Sequence, residues 1–528
     1  MKRFLILVCL LVLSNSVFGD DDDHEMIIFK KHIEEQCGFT RYPNHCIASL
    51  LDSQKLGGGD IILSLVQKIR EATTLLSPGS SSSSSPSFHH VDKLSGQQVH
   101  QQSGLGYCFE LMELSLKHLN QSLLALQNSP RGMKNDIQTW LSAVLTFQHA
   151  CKDSIQDHPN NEFSLSISTK MAFLSRLTSN SLALVNRITH DDQVQYSSPA
   201  AMPGWMSRKG RKLLQTTPIR ADAVVAKDGT GNYRTVSEAI KAASGGRFVI
   251  YVKTGVYNEK IRTNKDGITL IGDGKYSTII TYHDSVKAGS SMPYTATFAI
   301  TGDGFMARDI GFQNTAGPYG DQALALSVVS DRSVFFRCSI VGYQDTLYAL
   351  ALRQFYRDCD IYGTIDFIFG NAAAIFQSSI IALRKPKSGS YNVILANGRE
   401  DPGQNTGFTI QRCRITVTPD LSPSKHSIES YLGRPWKQYS RSIIMQSFID
   451  DAIRPRGWVE WTGSFALKTL YFAEYLNQGP GAGTSSRVKW NGYHVIGPDQ
   501  AMMFTVSKFI GGTAWLPSTG VNFVAGLN

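Results

Sequence analysis

Residues 338–345 read CSIVGYQD, and residues 359–366 read CDIYGTID. The two octapeptides, which begin at positions 338 and 359, have cysteine, isoleucine, glycine and aspartate at equivalent positions. A repeat of about 20 to 29 residues is typical of solenoid proteins, in which each repeat forms one coil. Equivalent residues of adjacent coils lie one strand spacing apart, about 4.8 Å. The sequence therefore predicts a parallel β-solenoid in which Asp345 and Asp366 are neighbours.

Two carboxyl groups at that separation do not easily ionise together. One of them is then expected to keep its proton while the other stays an anion, which supplies an acid and a nucleophile in one place. The alternative is an aspartate ladder that only caps turns. The repeat alone leaves both interpretations open for Asp345 and Asp366.

The region after residue 222 favours a β-solenoid over a doubly wound sheet, because short β-rich runs occur without alternating long helices. Examples are FVIYV at 248–252 and ITLI at 268–271. The Cys-x-Ile pattern also appears a third time, from Cys413. Stacking on adjacent coils would bring Cys338 and Cys359 to a separation that suits a disulfide. Cys413 would then be the odd thiol.

The chain of 528 residues is long enough for at least two domains. Residues 1–19 are predicted to be a signal peptide, because a basic start precedes an apolar run too short to span a membrane. A secreted protein with disulfides is therefore expected. The net charge of +9 favours a polyanionic partner, although a merely soluble basic protein has the same composition. The sequon at Asn120 predicts N-glycosylation.

Residues 25–190 are predicted to be helical, since apolar residues recur at spacings of three and four, as in the stripe from Met112 to Leu126. Such stripes indicate an antiparallel bundle. Two disulfides are expected to hold it together. The first would close a short hairpin between Cys37 and Cys46, and the second would join two long helices through Cys108 and Cys151.

Residues 191–221 lack periodicity and are predicted to be a linker. A basic cluster there contains Arg211, Lys212, Leu213 and Leu214. An exposed basic segment of a secreted protein is a good substrate for a processing protease, and cleavage is expected after Leu214. The alternative is a basic linker that contacts the anionic partner.

Four phrases in the C-terminal half carry a family resemblance: GVYNE at 255–259, QDTL at 344–347, GTIDFIFG at 363–370 and LGRPW at 432–436. In this order they closely resemble the plant pectin methylesterases. The helical half resembles the pectin methylesterase inhibitor and invertase inhibitor domain. The resemblance implies an all-β, right-handed parallel β-helix at 222–528. It also implies that this catalytic domain is preceded by an all-α four-helix bundle.

The resemblance further implies removal of methyl esters from homogalacturonan, which gives pectate and methanol. Asp366 would be the nucleophile, and Asp345 the general acid and then the base. The oxyanion would be held by Gln344 and Gln322. Substrate contacts are expected at Arg434, which would also pair with Asp366, and at two cleft tryptophans, Trp436 and Trp458.

No cofactor or metal is expected, because no metal-binding or phosphate-binding motif is found. The expected partners are methyl-esterified homogalacturonan, a proteinaceous inhibitor and the processing protease. No nucleic acid is expected as a partner, and no membrane is expected once the signal peptide is removed. The protein is expected to be a monomer in the plant cell wall. Two other functions remain open: a chain-cleaving β-helix enzyme (polygalacturonase or pectate lyase), and a non-enzymatic inhibitor or interaction protein.

Overall fold

The computed structural model describes residues 26–51, 60–76, 96–155, 162–189 and 220–528. The predicted signal peptide at 1–19 and the predicted processing residues at 211–214 lie outside the described residues. Within these ranges, no helix has the length and apolar character that crossing a membrane requires.

The N-terminal part of the chain is helical, as predicted. Its helices are α1 at 26–37, α2 at Pro43–Leu51, α3 at Ile61–Leu76, α4 at Gly96–Asn128, α5 at Lys134–Ile155 and α6 at Glu162–Arg187. The predicted apolar stripes are buried, and Asn120 lies on the exposed side of α4. The predicted disulfide between Cys37 and Cys46 is confirmed. Cys108 and Cys151 are disulfide-bonded as well.

Residues 220–528 contain 26 strands, numbered β1 to β26 in chain order, which form three parallel sheets. Sheet 1 has eleven strands: β1 Ala223–Val225, β2 Phe248–Val252, β5 Ile268–Gly272, β8 Met306–Arg308, β11 Ser333–Phe336, β14 Arg353–Arg357, β17 Ala373–Gln377, β20 Gly407–Gln411, β23 Arg441–Met445, β25 Tyr471–Tyr475 and β26 Tyr493–Val495. Sheet 2 has eight: β3 Gly255–Asn258, β6 Thr278–Tyr282, β9 Gly311–Asn314, β12 Ser339–Val341, β15 Asp360–Gly363, β18 Ile380–Leu383, β21 Arg414–Val417 and β24 Phe448–Ile449. Sheet 3 has seven: β4 Ile261–Thr263, β7 Phe298–Ile300, β10 Leu326–Val329, β13 Leu347–Ala351, β16 Ile368–Gly370, β19 Asn392–Asn397 and β22 Ser430–Pro435.

The chain visits the three sheets in turn. For example, β8 in sheet 1 is followed by β9 in sheet 2 and β10 in sheet 3, and β11 then returns to sheet 1 beside β8. Parallel neighbours need a crossover connection, and here each crossover is the rest of the coil. The predicted parallel β-helix is therefore confirmed.

The core consists of ladders of equivalent side chains. In sheet 2, Ile340 pairs with Ile361, and Ile361 pairs with Ile381, all fully buried. Aromatic rings also stack along sheet 1, with 4.8 Å between the centroids of Phe335 and Tyr356. Burying each such side chain stabilises the fold by about 1.5–3 kcal/mol. The apolar side chains that repeat in the sequence thus stack into one continuous core along the β-helix.

The chain turns corners through single residues in the left-handed region. Asp345 and Asp366 have φ angles of 58° and 50° in the turns between sheet 2 and sheet 3. Arg337 and Asp358 do the same, at 52° and 53°, between sheet 1 and sheet 2. Aspartate and asparagine tolerate this conformation better than other non-glycine residues. Both predicted catalytic residues are therefore also corner residues of the coil.

The predicted disulfide between Cys338 and Cys359 is wrong. The two residues stack on adjacent coils, just before the paired residues Ser339 and Asp360, but both are buried free thiols. Equivalent positions of a parallel ladder project their Cβ atoms in the same direction, so the sulfurs lie side by side. Each thiol donates to a backbone carbonyl instead, Cys359 Sγ to Phe335 O at 3.4 Å. Cys413 is also free and buried.

Short helices pack on the outside of the β-helix. α7, Val236–Ala242, begins at a capping box of Thr235 and Glu238 and buries one face in the main core. α8 Pro498–Met502, α9 Val506–Phe509 and α10 Gly512–Trp515 pack against sheet 1. Sheet 1 is therefore covered, whereas the corner between sheets 2 and 3 carries the candidate site.

Candidate active site

Asp345 and Asp366 lie in two short turns, 342–346 and 364–367, which we call the catalytic turns. Backbone hydrogen bonds connect them, from Asp345 N to Ile365 O and from Thr364 N to Tyr343 O, both 2.9 Å. The two aspartates are only 8% and 6% exposed. The structure thus places them in equivalent positions of adjacent coils, as the repeat predicted.

Arg434 binds Asp366 with two hydrogen bonds, as predicted. Its Nε donates to Oδ1 at 2.8 Å, and its Nη2 donates to Oδ2. Arg434 lies in β22, and its Nη1 donates to the Tyr391 hydroxyl at 2.8 Å. The ring of Trp461 lies 4.1 Å from the centre of the guanidinium group. A bidentate pair of this kind fixes the carboxylate and favours its ionised form.

The two carboxyls differ in their surroundings. Burial raises the pKa of Asp345 well above its usual value, the charge of Asp366 raises it further, and Arg434 opposes the shift. Among the described residues, none donates a hydrogen bond to the Asp345 carboxyl. Burial also raises the pKa of Asp366, but its hydrogen bonds and ion pair with Arg434 act against that rise. The protonated form is therefore favoured more strongly at Asp345, and the ionised form is favoured more strongly at Asp366.

Gln344 lies in the first catalytic turn and Gln322 in the loop before β10, and both residues are half-buried. Their backbones are fixed, since Ala323 N donates to Gln344 O at 3.2 Å and Val286 N donates to Gln322 O at 3.0 Å. Neither side-chain amide forms a hydrogen bond within the described part of the chain. Both N–H₂ groups are therefore free to donate to a ligand.

Three aromatic residues lie next to the aspartates. Tyr348 and Phe369 are paired in β13 and β16, and their rings stack at 4.4 Å. Trp436 packs edge-on against Phe369 at 5.9 Å and stays partly exposed. The sequence reasoning did not single out Tyr348 and Phe369. Each of them stands three residues after an aspartate of the repeat, Tyr348 after Asp345 and Phe369 after Asp366, and this shared spacing could have identified them from the sequence.

Trp458 does not line a cleft, so that prediction is wrong. It is fully buried, stacks on Phe472 at 4.4 Å and donates to Glu474 at 3.2 Å. The bridge between Trp458 and Gly433 brings it beside β22, with its side chain in the core. Three residues further on, Trp461 is 36% exposed and packs on Arg434. Of Trp458 and Trp461, it is therefore Trp461 that lies next to the site.

A parallel β-helix thus carries a two-aspartate site, in which an arginine binds one carboxylate, burial raises the pKa of the other carboxyl, and two amides are free to donate. Such a set can perform acyl transfer at an ester. The comparisons with known proteins agree with that class. A family model described as Pectinesterase matches residues 222–513, and one described as Plant invertase/pectin methylesterase inhibitor matches residues 31–184. The chain belongs to the pectinesterase family and is a carboxylic ester hydrolase with an inhibitor-like N-terminal region.

Relatives match both halves of the chain. The chain is 46% identical to "Probable pectinesterase/pectinesterase inhibitor 54" of Arabidopsis thaliana over 516 residues, which are 96% of this chain and 95% of that one. It is 49% identical to "Pectinesterase 2" of Citrus sinensis over 80% of this chain and 81% of that one. Among solved structures, pectin methylesterase from carrot is 50% identical with a TM-score of 0.58, and the match covers 59% of this chain and 100% of that one.

Proposed function

We propose that residues 222–528 hydrolyse the methyl esters of homogalacturonan, with Asp366 as the nucleophile and Asp345 as the acid and base. The observation that carries this assignment is the contrast between the two carboxyls. Arg434 pairs with Asp366 through two hydrogen bonds, whereas Asp345 is buried with a raised pKa.

In the first half-reaction, an oxygen of the Asp366 carboxylate attacks the ester carbonyl carbon of a galacturonate unit. The tetrahedral oxyanion accepts hydrogen bonds from the side chains of Gln322 and Gln344, each worth about 3 kcal/mol by comparison with other oxyanion holes. The bond to methoxide then breaks as Asp345 gives up its proton, so methanol leaves as a neutral molecule. An anhydride between Asp366 and the sugar remains.

In the second half-reaction, Asp345 is an anion and can take a proton from water. The resulting hydroxide attacks the sugar carbonyl of the anhydride, and the bond to Asp366 breaks. A galacturonic acid carboxyl group forms and releases its proton to the solvent, while Asp345 is protonated and Asp366 is ionised as at the start. The cycle uses one water and releases one methanol for each ester.

The test is methanol release from highly esterified pectin by the full chain, assayed before and after cleavage of its linker, beside Asp366→Asn treated in the same way. The variant is expected to lose about a hundredfold or more of the rate. Reducing ends measured in the same samples distinguish ester hydrolysis from chain cleavage. Methanol release that survives in Asp366→Asn would contradict the nucleophile, and new reducing ends without methanol would favour a polygalacturonase.

We further propose that residues 25–190 form a removable pro-region. It would be directed out of the cell by the signal peptide at 1–19, be glycosylated at Asn120 and be cut off after Leu214 by a processing protease. The monomeric enzyme would then act in the cell wall. The inhibitor family match at 31–184 supports a second role as an inhibitor of the attached domain. Replacing Arg211 and Lys212 by serine should leave an uncut precursor, and a fragment that still begins near Gln215 would contradict the site.

A further inference from the structure

Residues 454–461 come after β24, and we call them the tryptophan segment. They lie beside β22, the strand that carries Arg434, and Val459 N donates to Gly433 O at 3.1 Å. Near the end of the segment, the ring of Trp461 lies 4.1 Å from the central carbon of the Arg434 guanidinium group. The surroundings of Arg434 therefore depend on where this segment is held.

A buried ion pair binds the tryptophan segment. Arg487 Nε donates to Glu474 Oε1 at 2.8 Å, and both side chains are 1% exposed. The same carboxylate oxygen accepts hydrogen bonds from Trp458 Nε1 at 3.2 Å and from the Tyr493 hydroxyl at 3.1 Å. Arg487 Nη1 also donates to Pro455 O at 2.9 Å. Each partner of the ion pair thus forms its own hydrogen bond with the segment.

Two glycines allow these side chains to pack directly on the backbone. A Cβ atom at Gly433 would lie 2.9 Å from Cζ3 of the Trp458 ring, and one at Gly457 would lie 2.4 Å from Cδ of Arg487. Both distances are well below the roughly 3.5–4.0 Å of a normal carbon–carbon contact. The Trp458 ring therefore packs on the residue that precedes Arg434, with no room for a side chain between them.

The ion pair supplies a defined geometry. A buried ion pair adds little net stability, because removing two charges from water costs about as much as their attraction gains. The guanidinium group of Arg487 is a rigid planar fork, however, and the carboxylate of Glu474 accepts from several donors at once. Their hydrogen bonds form together only when the tryptophan segment lies in one place against β22.

We propose that Glu474 and Arg487 are positioning residues for the pair of Arg434 and Asp366. By holding Trp458 against the residue that precedes Arg434, they keep the guanidinium group where both of its hydrogen bonds to Asp366 form. Because both are 1% exposed, neither touches a bound substrate. The inference rests on the proposed function and adds to it two residues that act through Arg434.

The pH profile of the enzyme reports this positioning. Arg434 opposes the rise that burial causes in the pKa of Asp366, so a displaced guanidinium group leaves that pKa higher. The other titratable groups nearby are Asp345 on the adjacent coil and Tyr391, whose hydroxyl accepts from Arg434. Asp366 reacts as an anion. The fall of kcat/KM towards low pH should therefore begin at a higher pH when the ion pair is disturbed.

The test uses two variants made in the full chain and assayed for methanol release after cleavage of the linker. Trp458→Phe removes the N–H group that donates to Glu474 but keeps a ring that can stack on Phe472. Glu474→Gln removes the charge and keeps nearly the same shape. Both should lower kcat about tenfold with little change in KM, since a misplacement of about 1 Å can cost about a hundredfold. In both, the acid side of the kcat/KM profile should move to higher pH.

The matched control is Asp331→Asn, which breaks another buried ion pair. Arg353 Nη2 lies 2.6 Å from Asp331 Oδ2, the side chains are 7% and 8% exposed, and the pair lies at the corner between sheets 3 and 1. This variant should lose thermal stability but keep its kcat and its pH profile.

A Trp458→Phe variant that keeps either its kcat or its pH profile would overturn the inference, even if Glu474→Gln does not fold. An equal fall of kcat in Asp331→Asn would overturn it as well, because the loss would then follow from stability alone. The absence of methanol with the unaltered chain would instead overturn the proposed function.

Discussion

Replacing either catalytic aspartate by asparagine should abolish activity, but the two changes should shift the stability of the β-helix in opposite directions. Asparagine has the same shape as aspartate and tolerates the left-handed φ angles of 58° and 50° at these corners. The backbone cost is therefore nearly the same at both positions. What differs is the group that is replaced: at position 366 the change removes the anion that Arg434 binds, whereas at position 345 it replaces a buried carboxyl with a raised pKa.

At position 366 the change removes one partner of an ion pair whose side chains are 14% and 8% exposed. Removing one partner of a buried pair costs about 3–5 kcal/mol. The asparagine oxygen still accepts one hydrogen bond from Arg434, so we expect Asp366→Asn to lower the free energy of unfolding by about 2–4 kcal/mol.

At position 345 the sign reverses. The pKa of Asp345 is raised in the folded protein, so the folded state holds the proton more tightly than the unfolded state, whose carboxyl has a pKa of about 3.9. Wild-type stability then falls by about 1.4 kcal/mol for each pH unit above that value until the folded pKa is reached. Asp345→Asn does not incur this loss. It should be more stable near pH 7, by about 1.4 kcal/mol for each unit by which folding raises the pKa of Asp345, with the gain vanishing towards pH 4.

Calorimetric unfolding of the full chain between about pH 4 and pH 7 measures both effects. The helical region has its own apolar stripes and serves as an internal reference, since its transition should not move. Equal destabilisation by both variants, or a gain for Asp345→Asn that does not depend on pH, would refute the assignment of the proton to Asp345.

Three further predictions concern the neighbours of the aspartates. Arg434→Lys should reduce kcat about a hundredfold in a methanol-release assay, because a lysine cannot form the bidentate pair; near-normal kcat would contradict this role. Gln322→Ala and Gln344→Ala should each lower kcat about a hundredfold to a thousandfold with little change in KM, measured at saturating pectin, and an effect confined to KM would point to binding alone. Trp458→Ala should cost about 3–5 kcal/mol of stability in denaturant unfolding, whereas Trp461→Ala should change stability little and lower kcat, so the reverse result would contradict the assignment of Trp461 to the site.

The fold could be predicted because the residues that repeat in the sequence are the residues that stack in the core. Ile340 and Ile361 occupy the same place in the two repeats and are paired in adjacent strands. The same register placed Asp345 beside Asp366 correctly. It misled for Cys338 and Cys359, because two stacked side chains that project in the same direction need not be bonded: both are free thiols that donate to backbone carbonyls.

Contacts between distant segments could not be predicted in this way. Nothing in the spacing of Trp458 and Trp461 tells which of them enters the core, since that depends on the bridge to Gly433. The ion pair between Lys387 and Asp321 is a similar case. The loops that hold the two residues are three coils apart, and only the lengths of these loops allow the side chains to meet.

The left-handed corners also limit how this enzyme could be altered in the laboratory. Glutamate has the chemistry of aspartate, but a positive φ favours glycine, asparagine and aspartate, and other residues adopt it at an energetic cost, as Arg337 and Gln446 do in this chain. In a randomised library at positions 345 and 366, aspartate is therefore the carboxylate that this backbone conformation favours. Searches for new reactivity are better directed at the longer loops 315–325 and 384–391, where length and charge can change without disturbing these two corners.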